Sequence, residues 1–147
     1  MPQINWTDSL AIGIPLIDDQ HKTWITRLNA VAAAIASHQG PDQVALTLGF
    51  LIEYTQFHFA TEEKHMTANA YPELEQHRAR HDELRTTLDN LVQDFEEEGP
   101  THSLADAVNT FLGNWLTNHI EAVDQRFGAF LKDKGITLSA TGVYRPE

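Results

Sequence analysis

Two pairs of side chains spaced by four residues, His58 with Glu62 and His77 with His81, stand inside one stretch, HFATEEKHMTANAYPELEQHRARH, which holds four of the chain's eight histidines. Residues four apart share a face of an α-helix, so each pair can act on a common partner. His21, His119 and Asp124 extend the set to five imidazoles and two carboxylates. Imidazole nitrogens suit zinc, copper, iron and nickel, and carboxylates able to bridge favour a pair of hard or borderline ions. Seven ligands exceed what one tetrahedral zinc uses. They suit two iron ions that share Glu62 and Asp124 as bridges. A carboxylate-rich diiron oxidase site would need two Glu-x-x-His motifs. The chain offers Glu62–His65 alone, with His65 about 10 Å beyond His58 along the helix axis. The H-E-x-x-H motif of zinc proteases is absent.

The elements that must position these groups are legible from breakers and periodicity. Gly40-Pro41, Tyr71-Pro72 and Gly99-Pro100 punctuate the chain, with Gly suited to the position after a helix and Pro to the first helical turn. Four segments of helical period lie between them, at about 18–38, 42–66, 73–98 and 103–132. Each carries one apolar stripe. The stripes read Ile17, Trp24, Ile25, Leu28, Val31, Ile35; Val44, Leu48, Leu51, Thr55; Leu74, Leu84, Leu88, Leu91, Phe95; and Leu104, Val108, Phe111, Leu112, Trp115, Phe127, Leu131. Short connections make successive helices antiparallel neighbours, which predicts an all-α, up-down-up-down four-helix bundle. Residues 1–17 read as an irregular lead-in and 136–147 (ITLSATGVYRPE) as a tail of unexplained role that could cap the bundle or dock a partner.

The metal-ligating side chains fall on those stripes. Pairing the helices about turns near residues 40, 69 and 100 sets His21 opposite roughly residue 59, His58 opposite about 80, and His77 and His81 opposite about 124 and 120. All seven groups then share one layer. One difficulty is local: His119 and Asp124 are five residues apart, about 140° around a regular helix, and share a face only if the helix bulges there. His38 and His102 fall at the far end of the bundle and His65 lies beyond the layer, so surface positions are expected for all three. Burying ionisable groups without partners costs several kcal/mol each unless a metal or mutual pairing offsets it.

Composition bounds the alternatives. The 147 residues suit one domain, 1–147, and 41% apolar content supports a packed core. A formal charge of −11 argues against nucleic acid and against an anionic membrane surface. The absence of cysteine excludes disulfides, iron–sulfur clusters and thiolate zinc sites. Neither a signal peptide nor a membrane-spanning run is recognisable, and a cytoplasmic location is expected.

The segments IDDQHK, HFATEEKHM, YPELEQHRARH and WLTNHIEAVD together resemble a bacterial hemerythrin over essentially the whole chain, with all seven ligand positions in order and spacing. The resemblance implies a non-haem diiron centre with an oxo or hydroxo bridge. One iron would be held by His77, His81 and His119, the other by His21 and His58 with an open position, and Glu62 and Asp124 would bridge them. It further implies reversible dioxygen binding for storage, delivery or scavenging, and no enzymatic reaction. An oxygen or redox sensor acting through an unidentified protein partner is the alternative, and an enzyme of peroxide or nitric oxide chemistry is a weaker one. The same resemblance sets Phe59, Trp115, Leu116 and Ile120 around the oxygen pocket, which Trp24 or Ile25 would complete.

Overall fold

The computed structural model describes residues 4–138, and among them there are helices and turns but no strand. Three long helices, α1 (Pro15–Ala36), α2 (Pro41–Ala68) and α3 (Leu74–Glu98), are followed by a fourth rod over 102–133. That rod is built from α4 (His102–Asp106), a π-helical turn (Ala107–Leu112), α5 (Gly113–Asn118), a second π-helical turn (His119–Asp124) and α6 (Gln125–Asp133). The four rods form the expected antiparallel bundle, α1 lying against α2 and against the fourth rod.

The apolar stripes meet at the centre. Ile17, Trp24, Leu28, Val31, Val44, Leu48, Leu51, Leu84, Leu88, Val108, Leu112, Phe127 and Leu131 are all buried. Burying one such side chain is worth roughly 1.5–3 kcal/mol, and the summed stripe drives association of the rods. Phe111 departs from expectation: it is 51% exposed. The first π turn spans it and inserts an extra residue, so Leu112 takes the inward position that an uninterrupted period would have shared with Phe111.

The lead-in is less irregular than the sequence suggests. A 3₁₀ turn (Asp8–Leu10) precedes α1, which starts at Pro15, and Leu10, Ile12 and Ile14 are buried. The Asp18 carboxylate accepts from the backbone N–H of Ile12 (2.8 Å) and Gly13 (3.1 Å), and so ties the strap to the first turn of α1. The strap crosses the fourth rod where glycine leaves room: a Cβ on Gly128 would lie 2.8 Å from the Ile12 carbonyl oxygen.

The turns also differ from the simplest reading. Gly40 has φ −63° and serves as the N-cap of α2. The left-handed residues that end α1 and α2 are His38 and Ala70, both at φ 54°. Around each, the two backbone bonds of a Schellman motif form: Gln39 N–H to Ala34 O and His38 N–H to Ile35 O, then Tyr71 N–H to Met66 O and Ala70 N–H to Thr67 O. Of the tail, residues 139–147 lie outside the described residues.

Candidate metal centre

The bundle brings all seven predicted ligands into one buried cluster. His21 comes from α1, His58 and Glu62 from α2, His77 and His81 from α3, and His119 and Asp124 from the second π turn. His21, His58, Glu62, His81 and Asp124 are fully buried, and His77 and His119 are only 2% and 3% exposed. Their ligand atoms form two overlapping groups, each with its members within 4.8 Å of one another: Glu62, His77, His81, His119 and Asp124, and His21, His58, Glu62 and Asp124. The two carboxylates belong to both groups.

The second π turn resolves the angular difficulty. Its i→i+5 bonding spreads one turn over an extra residue, so residues five apart stack along the axis and His119 and Asp124 share the inward face. Asp124 Oδ1 lies 3.2 Å from His119 Nε2 and 2.9 Å from His77 Nε2, while Oδ2 lies 2.9 Å from His21 Nε2. Glu62 Oε1 lies 3.4, 3.6 and 3.2 Å from the Nε2 atoms of His58, His77 and His81.

None of these short contacts has hydrogen-bond geometry. The Nε2 atoms of all five histidines and all four carboxylate oxygens are buried without an aligned partner. A buried polar group without a partner costs about 1–3 kcal/mol, and more when charged. A cage of nitrogen and carboxylate lone pairs converging on shared points is the donor set that cations satisfy.

The electrostatics are those of an anionic pair inside a ring of imidazoles. Burial opposes ionisation of Glu62 and so does Asp124, yet the surrounding histidines hold its carboxyl down to about 2. Asp124 is held well below its ordinary value in the same way, against its own burial. Burial pushes His58 down to about 3, keeping it the neutral base that a ligand must be. His77 responds oppositely: against its burial, Asp124 and Glu62 draw it up to about 10.

A further set of residues stands behind the ligands. His58 Nδ1 lies 2.8 Å from Gln20 Oε1, and His81 Nδ1 lies 2.7 Å from Glu63 Oε2. Both bonds fix the ring tautomer that turns Nε2 inward. Gln20 and Glu63 stand inside the segments IDDQHK and HFATEEKHM, where sequence alone assigns them no role. The available signal was adjacency, since each directly neighbours a ligand, Gln20 beside His21 and Glu63 beside Glu62.

Two of the predicted pocket residues stack directly on ligand-group rings. Phe59 stacks on His81 with ring centroids 3.7 Å apart, and Trp115 stacks on His119 at 4.6 Å. Leu116 and Ile120 are buried on the fourth rod, and Trp24 lies 5.0 Å from the His58 ring with its indole N–H donating to Thr55 Oγ1. Ile25 is buried too. Next to the layer, Trp24, Leu28, Leu51, Leu84, Leu112 and Leu116 help to line an apolar cavity of about 10 Å³. Two of the histidines set aside by sequence stay apart from the cluster, His38 exposed and His65 half-buried; the side chain of His102 lies outside what is described.

Comparison with known proteins agrees with the geometry. Residues 12–131 match the family model described as Hemerythrin HHE cation binding domain. The chain is 32% identical over 132 residues to the bacteriohemerythrin of Stenotrophomonas maltophilia, covering 90% of this chain and 84% of that one. It is 30% identical to the bacteriohemerythrin of Methylococcus capsulatus, over 89% of this chain and 98% of the other. A wild-type hemerythrin crystal structure superposes with a TM-score of 0.79 at 29% identity, covering 87% of this chain and 97% of that chain.

Proposed function

This chain belongs to the hemerythrin family, and we propose on that premise that it binds dioxygen reversibly at a pair of non-haem irons and catalyses no reaction. His77, His81 and His119 would hold one iron, His21 and His58 the other, and Glu62 and Asp124 would bridge them together with an oxo or hydroxo group. The iron pair, when bound, supplies the reversible electron exchange with dioxygen that protein side chains lack. The observation that carries the reading is the sharing of both carboxylates between two ligand groups, because a single-ion site has no use for that arrangement.

The chain's own residues have separate tasks in this reading. The two ionised carboxylates balance cationic charge in a dry interior, so a cluster near neutrality can sit there without a large desolvation cost. His21 and His58 bring one ligand fewer to their side than His77, His81 and His119 do, which would leave a coordination position for a small molecule on that iron. Phe59, Trp115, Leu116 and Ile120 exclude water, which would otherwise deliver protons and promote irreversible oxidation. Storage, delivery or scavenging in the cytoplasm would follow. No helix among the described residues is long and apolar enough to cross a membrane.

The test is anaerobic loading with ferrous iron, metal analysis, and visible spectra in air and after removal of oxygen. About two irons per chain, no haem, and a band that appears with air and vanishes on deoxygenation are expected. One metal per chain, zinc filling the site, or a spectral change that does not reverse would defeat the proposal.

A further inference from the structure

The five imidazoles are not supported alike. On the α1–α2 side, His58 donates from Nδ1 to the neutral amide oxygen of Gln20 at 2.8 Å. On the α3 side, His81 meets a carboxylate: its Nδ1 lies 2.7 Å from Glu63 Oε2. A carboxylate oxygen accepts, so His81 carries a proton on Nδ1 and turns Nε2 inward, and a cation that displaces any second proton meets a bare Nε2. Two guanidinium groups flank that carboxylate, Arg85 Nη2 at 3.0 Å from Oε2 and Arg78 Nε at 3.7 Å from Oε1.

Arg85 braces this contact by two routes. Its Nη2 donates to the same Glu63 oxygen at 3.0 Å. Its guanidinium also sits 5.2 Å over the ring of Phe59, the ring that stacks on His81 with an interplanar angle of 7°. His81 is therefore fixed at one edge by Glu63 and on one face by Phe59, with Arg85 behind both. Glu63 and Arg85 are 17% and 26% exposed, so the brace reaches the protein surface while His81 stays fully buried.

We propose that Glu63, held by Arg85, is a positioning residue that orients His81 and places negative charge on its ring, so that the metal position of His77, His81 and His119 favours the ferric state more than that of His21 and His58. The proposal rests on the diiron reading above. A hydrogen bond to an ionised acceptor is roughly twice as strong as one between neutral groups, and drawing the Nδ1 proton toward Glu63 makes the ring a more basic ligand. A more basic ligand stabilises the higher metal charge. Gln20 fixes the His58 tautomer equally well but adds no charge.

Glu63→Gln separates orientation from charge, because the amide oxygen can still accept from Nδ1. Two measurements are needed. In iron-free protein at a pH high enough to leave His81 neutral, nitrogen NMR of the imidazoles should show His81 protonated on Nδ1 in wild type and in Glu63→Gln, and a tautomer mixture in Glu63→Ala. In iron-loaded protein, a spectroscopic redox titration of Glu63→Gln should show the ferric state disfavoured about 10–100-fold, a rise in midpoint of roughly 60–120 mV. Loss of iron from Glu63→Gln with the tautomer kept also supports the proposal, since charge then governs metal affinity. Arg85→Gln removes the nearer of the two cations beside Glu63 and should lower the midpoint, by a smaller amount because the group is partly exposed and Arg78 remains. An unchanged midpoint in fully loaded Glu63→Gln, or a rise in Arg85→Gln, would overturn the charge assignment. A wild-type protein that takes up no iron pair would defeat the diiron reading instead, and the NMR arm would still decide whether Glu63 orients His81.

Discussion

Removing the metal should leave a protein whose stability falls as the pH rises through neutrality. The structural reason is His77, drawn up to about 10 by Asp124 and Glu62 against its burial, compared with an ordinary value of 6.5. A raised histidine contributes stability that is fully present below the unfolded value, about 6.5, and is lost as pH climbs through about 10. Across most of that window the folded apoprotein holds one proton on His77 that the unfolded chain does not. Linkage then gives a slope of about −1.4 kcal/mol per pH unit, or a loss of roughly 2–3 kcal/mol between about pH 7 and pH 9. His21 and His81 are shifted upward as well, each against its own burial, so the loss can exceed that of one proton. When cations fill the cage those protons are displaced. The loaded protein should therefore lack this slope, and metal affinity should climb with pH over the same range. Urea unfolding of chelator-treated and metal-loaded protein at several pH values measures both. An apoprotein equally stable at about pH 7 and pH 9 would refute the claim that the carboxylates hold protons in the cage.

Other outcomes follow from single positions. Leu116→Ala should cost roughly 2–5 kcal/mol and enlarge a cavity of about 10 Å³, now at the lower limit for one water; the band of the oxygenated form should decay faster in air-saturated buffer than in wild type. His77→Ala should lose iron on metal analysis, because it removes a ligand and strands buried carboxylates, whereas exposed His38→Ala should keep full iron content and oxygen binding. Ala70→Gly should raise stability by about 0.5–1 kcal/mol in thermal unfolding, since Ala70 holds φ 54°, where glycine escapes the steric cost of a Cβ.

The parts of this molecule that were legible in its sequence are those governed by local period. A stripe repeating every three or four residues fixes a helix face regardless of tertiary context, so the four rods and their inward residues could be read from Ile17, Leu48, Leu88 and Val108 onward. Ligand layering followed, because antiparallel neighbours of known length must bring fixed residues level. Phe111 was misplaced because a π turn inserts one residue without any distinctive composition, and period counting carries straight through it. The braces were missed for a different reason. Whether Glu63 meets His81 or solvent depends on how α2 and α3 are rotated against each other, which no single helix encodes. The turn at His38 shows a third limit: Gly40 looked like the left-handed residue, yet backbone bonding to Ala34 and Ile35 selected the position two residues earlier.

The second π turn shows how the fold meets a demand that regular helices leave unmet. Seven ligands in one layer require two each from α2, α3 and the fourth rod, with His21 making the seventh. On α2 and α3 the spacing of four suffices, and Glu62, with its longer side chain, reaches the centre from a regular turn. Asp124 has one methylene fewer. From a regular helix at spacing five it would point about 140° away from His119. The wide turn restores the shared face and sets both of its oxygens within reach of imidazoles from three rods, at 2.9–3.2 Å. A π turn is rare, an interruption of the regular α ladder found frequently at functional sites. Here it interrupts a rod that is otherwise well packed, with Ile120 fully buried inside the turn and Phe127 fully buried just beyond it. Cation binding at Asp124 would help to hold that interruption in place, so loss of metal should first loosen the fourth rod around 119–124 rather than the bundle as a whole.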